Sequence, residues 1–142
     1  MKTCSEIRCE NFPCQDVDPS RHSIPALDVD PGCVRIVMIS EAPAANLEDN
    51  YYMDGNPLFH QTTLLAFQDA GISVRTFQEI LDHGVYLTNA VKCAKINYGL
   101  KTATINECSL LLESELALFP NTAVILLMGD TAIRGLNEIA RR

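Results

Sequence analysis

Six cysteines give this 142-residue chain its most reactive side chains, and four of them fall within residues 1–33. They are Cys4, Cys9, Cys14, Cys33, Cys93 and Cys108. Cytosolic thiols stay reduced, so a cysteine cluster in such a protein indicates metal binding or catalysis more often than disulfides. Six cysteines are also too few for a disulfide-stapled scaffold of this length. The pattern therefore favours a metal site or reactive thiols.

A carboxylate and an amide follow two of the apolar runs of the chain. Glu41 lies two residues after the run 34–39, and Asn89 lies two residues after the run 85–87. In open α/β sheets, ligands bind outside the carboxyl ends of the strands. A carboxylate there can stabilise a cation or accept a proton, and an amide offers one acceptor and two donors. These two side chains are therefore the first candidates for a ligand site.

Three short apolar runs set those positions, and each is typical of a strand in a parallel sheet. Helical patterns lie between and after them, and capping boxes are predicted at Thr76–Glu79 and at Thr104–Glu107. Strands that alternate with helices predict an α/β fold with a central parallel sheet. The predicted strands are 34–39, 85–87 and 123–128, and the predicted helices are 61–70, 77–82, 104–118 and 130 onwards.

The same patterns give expectations for individual side chains. The last helix is expected to turn Ile133 and Leu136 inward. Cys33 directly precedes a strand, so it is expected to be a small buried hydrophobe. Three lysines form a short basic run that is either a solvated face or a contact for phosphates. They are Lys92, Lys95 and Lys101.

The net charge of −7 argues against a protein that grips nucleic acid by charge alone. Residues 1–60 hold ten acids and four bases, whereas residues 61–142 hold eight and seven. Any contact with a polyanion is therefore expected in the second half. The first six residues lack the apolar core of a secretory signal, and no apolar run approaches the ~18 residues that span a membrane. A cytoplasmic protein without membrane contact is predicted.

The chain is expected to form one domain with an N-terminal extension. Residues 1–33 carry four of the seven prolines and show no sustained periodicity. They are interpreted as a cysteine-rich, irregular arm that something other than a hydrophobic core holds in place. Residues 34–142 are interpreted as the α/β domain itself.

Two of the strand-end loops resemble motifs of a known family. Residues 37–43, Val-Met-Ile-Ser-Glu-Ala-Pro, with Glu48 and Asp49 after them, resemble the Gly-Glu-Ala-Pro-Gly…Glu-Asp loop of iron–sulfur uracil-DNA glycosylases. Residues 85–93 resemble that family's second motif, a strand that ends in Asn and runs on to Lys-Cys.

Two later segments extend the resemblance over most of the chain. Cys93 and Cys108, which lie 15 residues apart, are similar to the family's second pair of cluster cysteines. Residues 124–132 resemble its Val-Leu-Leu-Gly-x-x-Ala strand and turn. The resemblance implies a three-layer α/β/α sandwich around a central parallel sheet.

The function implied by the resemblance is removal of uracil, or a related damaged base, from DNA by hydrolysis of the N-glycosidic bond. Glu41 would stabilise the cation that develops on the sugar and would orient or deprotonate the attacking water. Asn89 would match the N3–H donor and O4 acceptor of uracil, but the same amide turned over would match cytosine, so neighbours must fix its orientation. Ala42 and Phe59 would complete the substrate site, with Phe59 as the stacking ring if the loop shifts by one residue.

The resemblance also implies four cysteine ligands in two pairs. Cys93 and Cys108 supply one pair, and Cys9 and Cys14 supply the other, with Cys4 as an alternate. Four thiolates bind a four-iron–four-sulfur cluster, with structural zinc as the alternative.

The chain departs from the family pattern at its C-terminus and in its first motif. It ends at Arg142, before the family's further strand and His-Pro-Ser loop, which predicts a truncated sheet. The strand 123–128 would then have an unpaired edge open to self-association. Ser40 and Ala44 replace the glycines of the first motif. These departures support an alternative, a non-catalytic metal-binding α/β module of the same fold; a cysteine-rich redox or regulatory protein is a third.

Overall fold

The structure is a computed structural model, and it describes residues 1–3, 5 and 7–142. Cys4, the predicted alternate ligand, lies outside these described residues. The helices are α1 (Thr3–Glu6), α2 (Leu58–Asp69), α3 (Phe77–Asp82), α4 (Thr102–Leu116) and α5 (Asp130–Arg141). The strands are β1 (Val17–His22), β2 (Ile36–Ser40), β3 (Val85–Asn89), β4 (Cys93–Lys95) and β5 (Val124–Leu127), and short 3₁₀ turns span Pro31–Cys33 and Leu47–Asp49.

A parallel sheet in the order β3-β2-β5 forms the centre of the fold. Central strand β2 buries Val37 and Ile39 completely, and β3 is buried along its whole length. Helix α3 packs against β3, and α5 packs against β2 and β5. The register pairs Ser40 with Asn89, so the last residues of β2 and β3 lie side by side. The predicted α/β fold with a central parallel sheet flanked by helices is confirmed.

Strand β5 lies at one edge of this sheet. It pairs with β2 on one side, and in the part of the chain that the structure describes no strand pairs with its other side. The predicted unpaired edge is therefore confirmed. Val124 and Leu126 are exposed whereas Ile125 and Leu127 are half-buried, so only one face of β5 contributes to the core.

The N-terminal segment contains a strand and packs into the domain, so the prediction of an irregular arm is wrong. Strand β1 pairs antiparallel with β4 in a separate two-stranded sheet. Ile7, Val17 and Val29 are buried among the core residues. The buried Asp16 carboxylate accepts hydrogen bonds from the backbone N–H of Lys101, at 2.7 Å, and from the Thr104 hydroxyl. Isolated apolar residues and one carboxylate anchor the segment, which is why no periodicity marks it.

The two predicted capping boxes have different outcomes. In α3 the Thr76 hydroxyl accepts the Glu79 N–H at 3.1 Å, as predicted, while the Glu79 carboxylate accepts the N–H of Arg75 rather than that of Thr76. The box at Thr104 is wrong, because α4 begins two residues earlier and the Thr104 hydroxyl bonds to Asp16 instead.

Helix α5 departs from its predicted orientation at Ile133, whereas Leu136 is half-buried. Ile133 is exposed, and the buried residues are Thr131, Ala132 and Gly135. Small side chains on this face let α5 pack closely on α4, which explains why the bulkier Ile133 is turned away. Among the helices of the described residues, none is both long and apolar enough to cross a membrane.

Candidate active site and cysteine cavity

A cavity of about 380 Å³ lies at the carboxyl ends of β2 and β3. The structure brings all four predicted substrate-site residues to its wall, although they come from three separate segments. They are Glu41, Ala42, Phe59 and Asn89. Parallel strands end at the same edge of a sheet, so the register of β2 and β3 produces this convergence.

The Asn89 amide is nearly buried and is oriented by a hydrogen-bonded relay. The Ser40 hydroxyl donates to Asn89 Oδ1 at 2.6 Å, and the Tyr51 hydroxyl donates to Ser40 Oγ at 3.2 Å. Burial raises the pKa of Tyr51 despite its hydrogen bond to Ser40, so this phenol remains a donor at neutral pH. No group in the described residues accepts a hydrogen bond from Asn89 Nδ2. The relay thus leaves the amide N–H groups available to a carbonyl in the cavity.

The Glu41 carboxylate lies at the mouth of the same cavity, with 43% of its side chain exposed. It forms an ion pair with Lys95, the last residue of β4. The main chain at this point is fixed by two hydrogen bonds, from the N–H of Ala90 to the Ser40 carbonyl at 2.8 Å and from the N–H of Val91 to the Glu41 carbonyl at 2.9 Å. The carboxylate is therefore partly solvated and held at the same end of the sheet as Asn89.

An aromatic group forms one wall of the cavity. Phe59 is exposed and meets the Tyr51 ring edge-on, with ring centroids 6.0 Å apart. Tyr52 belongs to the core: its hydroxyl oxygen accepts the N–H of Leu87 at 2.8 Å, and burial raises its pKa strongly. Of these rings, Phe59 is the one whose face a planar ligand could reach.

A buried ion pair lies directly behind Asn89. Lys92 and Glu115 are both completely buried and pair with each other. Lys92 Nζ also donates to the Asn89 carbonyl at 2.5 Å and to Thr88 Oγ1 at 3.0 Å. Glu115 Oε1 accepts the hydroxyls of Tyr86, at 2.7 Å, and of Thr88, at 2.8 Å. The pair connects α4 to the end of β3 and fixes the backbone of Asn89.

This placement corrects the predicted basic run. Lys92 is neither a solvated residue nor a phosphate contact, because its ammonium is enclosed by Glu115 and the end of β3. Lys95 is engaged by Glu41, and only Lys101 extends its side chain from an exposed position as the prediction required.

The four predicted cysteine ligands line a second cavity of about 240 Å³. Cys9 and Cys14 reach it from the N-terminal segment, Cys93 from β4 and Cys108 from α4. Burial, with the neighbouring thiols as a smaller contribution, raises the pKa of Cys93 to about 12. Burial also raises the pKa of Cys108 and of Cys14. Metal-free, these thiols are protonated at neutral pH, and a bound cation would be needed to deprotonate them.

The chemistry of this donor set fits a thiolate-bound metal group. Four sulfurs from three segments face one partly enclosed space, and cysteine sulfur is the ligand of iron–sulfur clusters and of structural zinc. His22 adds a ring nitrogen, with Nδ1 3.4 Å from Cys93 Sγ. No group of three or more His, Cys, Asp or Glu side chains within the described residues is already arranged to hold a metal ion.

Cys33 is not the buried hydrophobe that was expected. It is exposed in the Pro31–Cys33 turn, where its thiol donates to Asp30 Oδ2 at 3.4 Å. This hydrogen bond, together with the Asp30 charge, raises the pKa of the thiol. The turn places the side chain outward before β2 begins, two residues later than the apolar run predicted.

Sequence reasoning missed several residues that hold other side chains of the site in position. Ser40 was noted only as a replaced glycine, and no role was predicted for the Tyr51 hydroxyl or for the Glu115 carboxylate. The isolated acid in the middle of an apolar helix stripe, Glu115 near Leu112 and Leu116, could have indicated a buried partner. The relay through Ser40 depends on strand register and could not be found from spacing.

The fold and its cavity define an α/β protein with a cavity at the carboxyl ends of parallel strands. Residues 28–142 match the sequence model of the family described as the uracil DNA glycosylase superfamily. The match covers most of the chain, and the chain belongs to that superfamily. A comparison with curated proteins found no match.

Proposed function

We propose that the protein is a DNA glycosylase that removes uracil, or a related base with a carbonyl in the same position, by hydrolysis of the N-glycosidic bond. One observation carries the proposal: the Asn89 amide is held with Oδ1 toward Ser40 in a cavity that Glu41 and Phe59 also line. Superfamily membership supports a glycosylase function in general.

The oriented amide accounts for the choice of base. With Oδ1 fixed by Ser40, the free Nδ2 donates to a carbonyl such as O4 of uracil, and the second lone pair of Oδ1 accepts the N3–H. Cytosine has an amino group where uracil has O4, so two donors would face each other. Phe59 would stack on the face of the extruded base, an interaction worth about 1–3 kcal/mol. Extrusion of the base from the stack itself costs a few kcal/mol.

Glu41 is proposed to act on the sugar. The bond from C1′ to the base nitrogen breaks with its electron pair leaving on the base, and positive charge develops on the sugar. The carboxylate stabilises this charge and orients the water whose oxygen then bonds to C1′. The water proton passes to Glu41 or to solvent, and the departing base takes a proton from solvent. Lys95 supports this role because its ammonium pairs with the Glu41 carboxylate and holds it in place.

We further propose that the protein belongs to the iron–sulfur branch of the superfamily. Cys9, Cys14, Cys93 and Cys108 would hold a four-iron–four-sulfur cluster, with zinc as the alternative occupant. Such a group would supply a structural crosslink between the N-terminal segment, β4 and α4. The four thiols and the apolar wall of the cavity are the parts of this chain that would bind the cluster or the zinc ion.

The activity is tested by single-turnover cleavage of a uracil-containing oligonucleotide, with alkali used to break the strand at abasic sites. We expect the wild type to cleave, and Glu41→Gln and Asn89→Ala each to reduce the rate by at least a hundredfold. Glu48→Gln, an exposed acid on the Leu47–Asp49 turn, is the matched control and should cleave at the wild-type rate. No cleavage by the wild type, with binding retained, would favour the non-catalytic module instead.

The cluster is tested by purification without oxygen followed by metal analysis. A brown protein with about four irons per chain supports the iron–sulfur branch. Stoichiometric zinc identifies a structural site of the other kind, and a metal-free protein from both anaerobic and zinc-supplemented preparations refutes the proposed ligand set. Cys93→Ser removes one proposed ligand. Its control is Cys33→Ser, which alters an exposed thiol outside the cavity.

A further inference from the structure

The loop at residues 96–100, between β4 and α4, exposes a large aromatic side chain. Tyr98 is 97% exposed, the highest value of any large apolar side chain in the described residues, and Ile96 is also exposed. No residue from 97 to 100 donates a backbone hydrogen bond within the described part of the chain. An exposed ring in a loosely held loop contributes nothing to the core and is available to a ligand.

Lys95 places this ring beside the proposed active site. Its ammonium pairs with Glu41, donates to the Tyr98 carbonyl at 3.1 Å and lies 5.6 Å from the centre of the Tyr98 ring. The carboxylate, the ammonium and the ring therefore form a continuous row from the mouth of the cavity outward. The cation–π contact also biases the position of a loop that is otherwise free.

The charge around the loop differs in sign from that of the whole chain. Residues 90–106 contain three lysines and no acid, although the protein has a net charge of −7. Lys92 is buried, so Lys95 and Lys101 carry the accessible charge on either side of the loop. Of the acids near the loop, Glu41 pairs with Lys95, and Asp16 is buried with its oxygens accepting hydrogen bonds from the Lys101 N–H and the Thr104 hydroxyl.

We propose that Tyr98 stacks on an unstacked base of the substrate strand next to the nucleotide held in the cavity, while Lys101 contacts a neighbouring phosphate. This inference rests on the proposed function, because it extends the same site along the strand. Every base has a π-face, so stacking holds a strand without reading its sequence. A contact of this kind also suits an acidic protein, because stacking does not depend on counterion release as phosphate contacts do.

The chain has no tryptophan, which makes Tyr98→Trp a single fluorescent reporter. We expect its emission to be quenched when a single-stranded oligonucleotide with a stable abasic-site analogue is added, and more weakly with an intact duplex. Leu65→Trp, an exposed position on α2 that lines neither cavity described above, is the matched control and should not be quenched. If only the single strand quenches the emission, the base that stacks on residue 98 is one that is already unpaired. If the duplex also quenches it, the stacked base is one that becomes exposed when the target nucleotide is extruded.

Affinity measurements separate stacking from charge. A stacked base is worth a fold-change of about 5- to 150-fold in Kd, so Tyr98→Ala should weaken binding within that range and Tyr98→Phe by much less. The dependence of log Kd on log salt should keep its slope in Tyr98→Ala and should fall by about one in Lys101→Gln.

Three outcomes decide between the proposals. If the wild type excises uracil but Tyr98→Ala binds DNA like the wild type and Tyr98→Trp is not quenched, the inference fails and the proposed function stands. If the wild type binds DNA and DNA quenches Tyr98→Trp, but the wild type does not cleave, the proposed stacking contact stands and the catalytic proposal fails. An absence of DNA binding by the wild type overturns both.

Discussion

The buried ion pair behind Asn89 gives the sharpest test of the structure. Lys92→Met removes the ammonium and leaves the Glu115 carboxylate buried, with only the Tyr86 and Thr88 hydroxyls to compensate it. Removing one partner of a fully buried pair costs about 3–5 kcal/mol, because the remaining charge has lost its counterion but not its burial. Domains of this size are stable by only about 5–15 kcal/mol, so the variant should lose a large part of its stability.

The size of the loss is measured by urea unfolding followed by far-UV circular dichroism. For a chain of this length, 3–5 kcal/mol corresponds to a fall in Tm of roughly 10–20 °C. The double variant with Glu115→Gln carries neither charge, and its amide oxygen still accepts the Tyr86 and Thr88 hydroxyls. It should therefore be more stable than Lys92→Met alone, which makes the two substitutions non-additive.

Two results would refute this reasoning. A loss below about 1 kcal/mol in Lys92→Met would mean that water reaches the pair, contrary to its complete burial. Simple additivity of the two substitutions would mean that Lys92 and Glu115 do not interact. Lys2→Met, at an exposed position, is the control for loss of a lysine charge.

Two further predictions follow from contacts described above, and a third from His60, which is buried in the first turn of α2. Ser40→Ala frees Asn89 Oδ1, so the ratio of uracil to cytosine excision should fall by roughly fivefold, the equivalent of about one hydrogen bond; an unchanged ratio would exclude Ser40 from specificity. Asp16→Ala leaves the Lys101 N–H and the Thr104 hydroxyl without an acceptor and should lower the free energy of unfolding by about 1–3 kcal/mol, with Asp54→Ala, an exposed acid, as the control in the same urea titration. Burial lowers the pKa of His60, so the unfolded chain takes up its proton first as the pH falls below about 6.5, and stability declines from there. Unfolding measured from pH 7 to pH 5 should show a shallower decline in His60→Phe, and an equal decline would assign the effect to other groups.

Much of the fold follows from local pattern. The three apolar runs predicted the three strands of the central sheet to within two residues at each end, because strands buried in a parallel sheet need continuous apolar side chains. The N-cap of α3 was also predicted, since Thr76 and Glu79 interact within one turn.

The errors arose where a distant partner decided the local structure. Thr104 looks like a cap from its neighbours, but Asp16, 88 residues away, takes its hydroxyl. Lys92 looks solvated in a run of lysines, but Glu115 on another helix encloses it. Strand β1 could not be predicted from periodicity, because its pairing with β4 buries only Val17 of its apolar residues.

The candidate site was predicted in part. Glu41 and Asn89 were found because strand ends in α/β folds meet at one edge, which is a rule of topology rather than of these residues. The orientation of the amide could not be found in this way, because it depends on the register that pairs Ser40 with Asn89.

The hydrogen bonds around the end of β3 also determine how this region exchanges its amide hydrogens with solvent. The N–H groups of Ala90 and Val91 are bonded across to β2, and the Asn89 carbonyl is capped by a buried ammonium that reaches α4. No local opening can release these amides without separating the sheet from α4, so they should exchange only through global unfolding. Residues 97–100 of the loop, by contrast, should exchange at nearly the rate of an unstructured peptide. The proposed base recognition would then depend on the slowest-exchanging part of the molecule, and the proposed contact with the DNA strand would depend on one of the fastest.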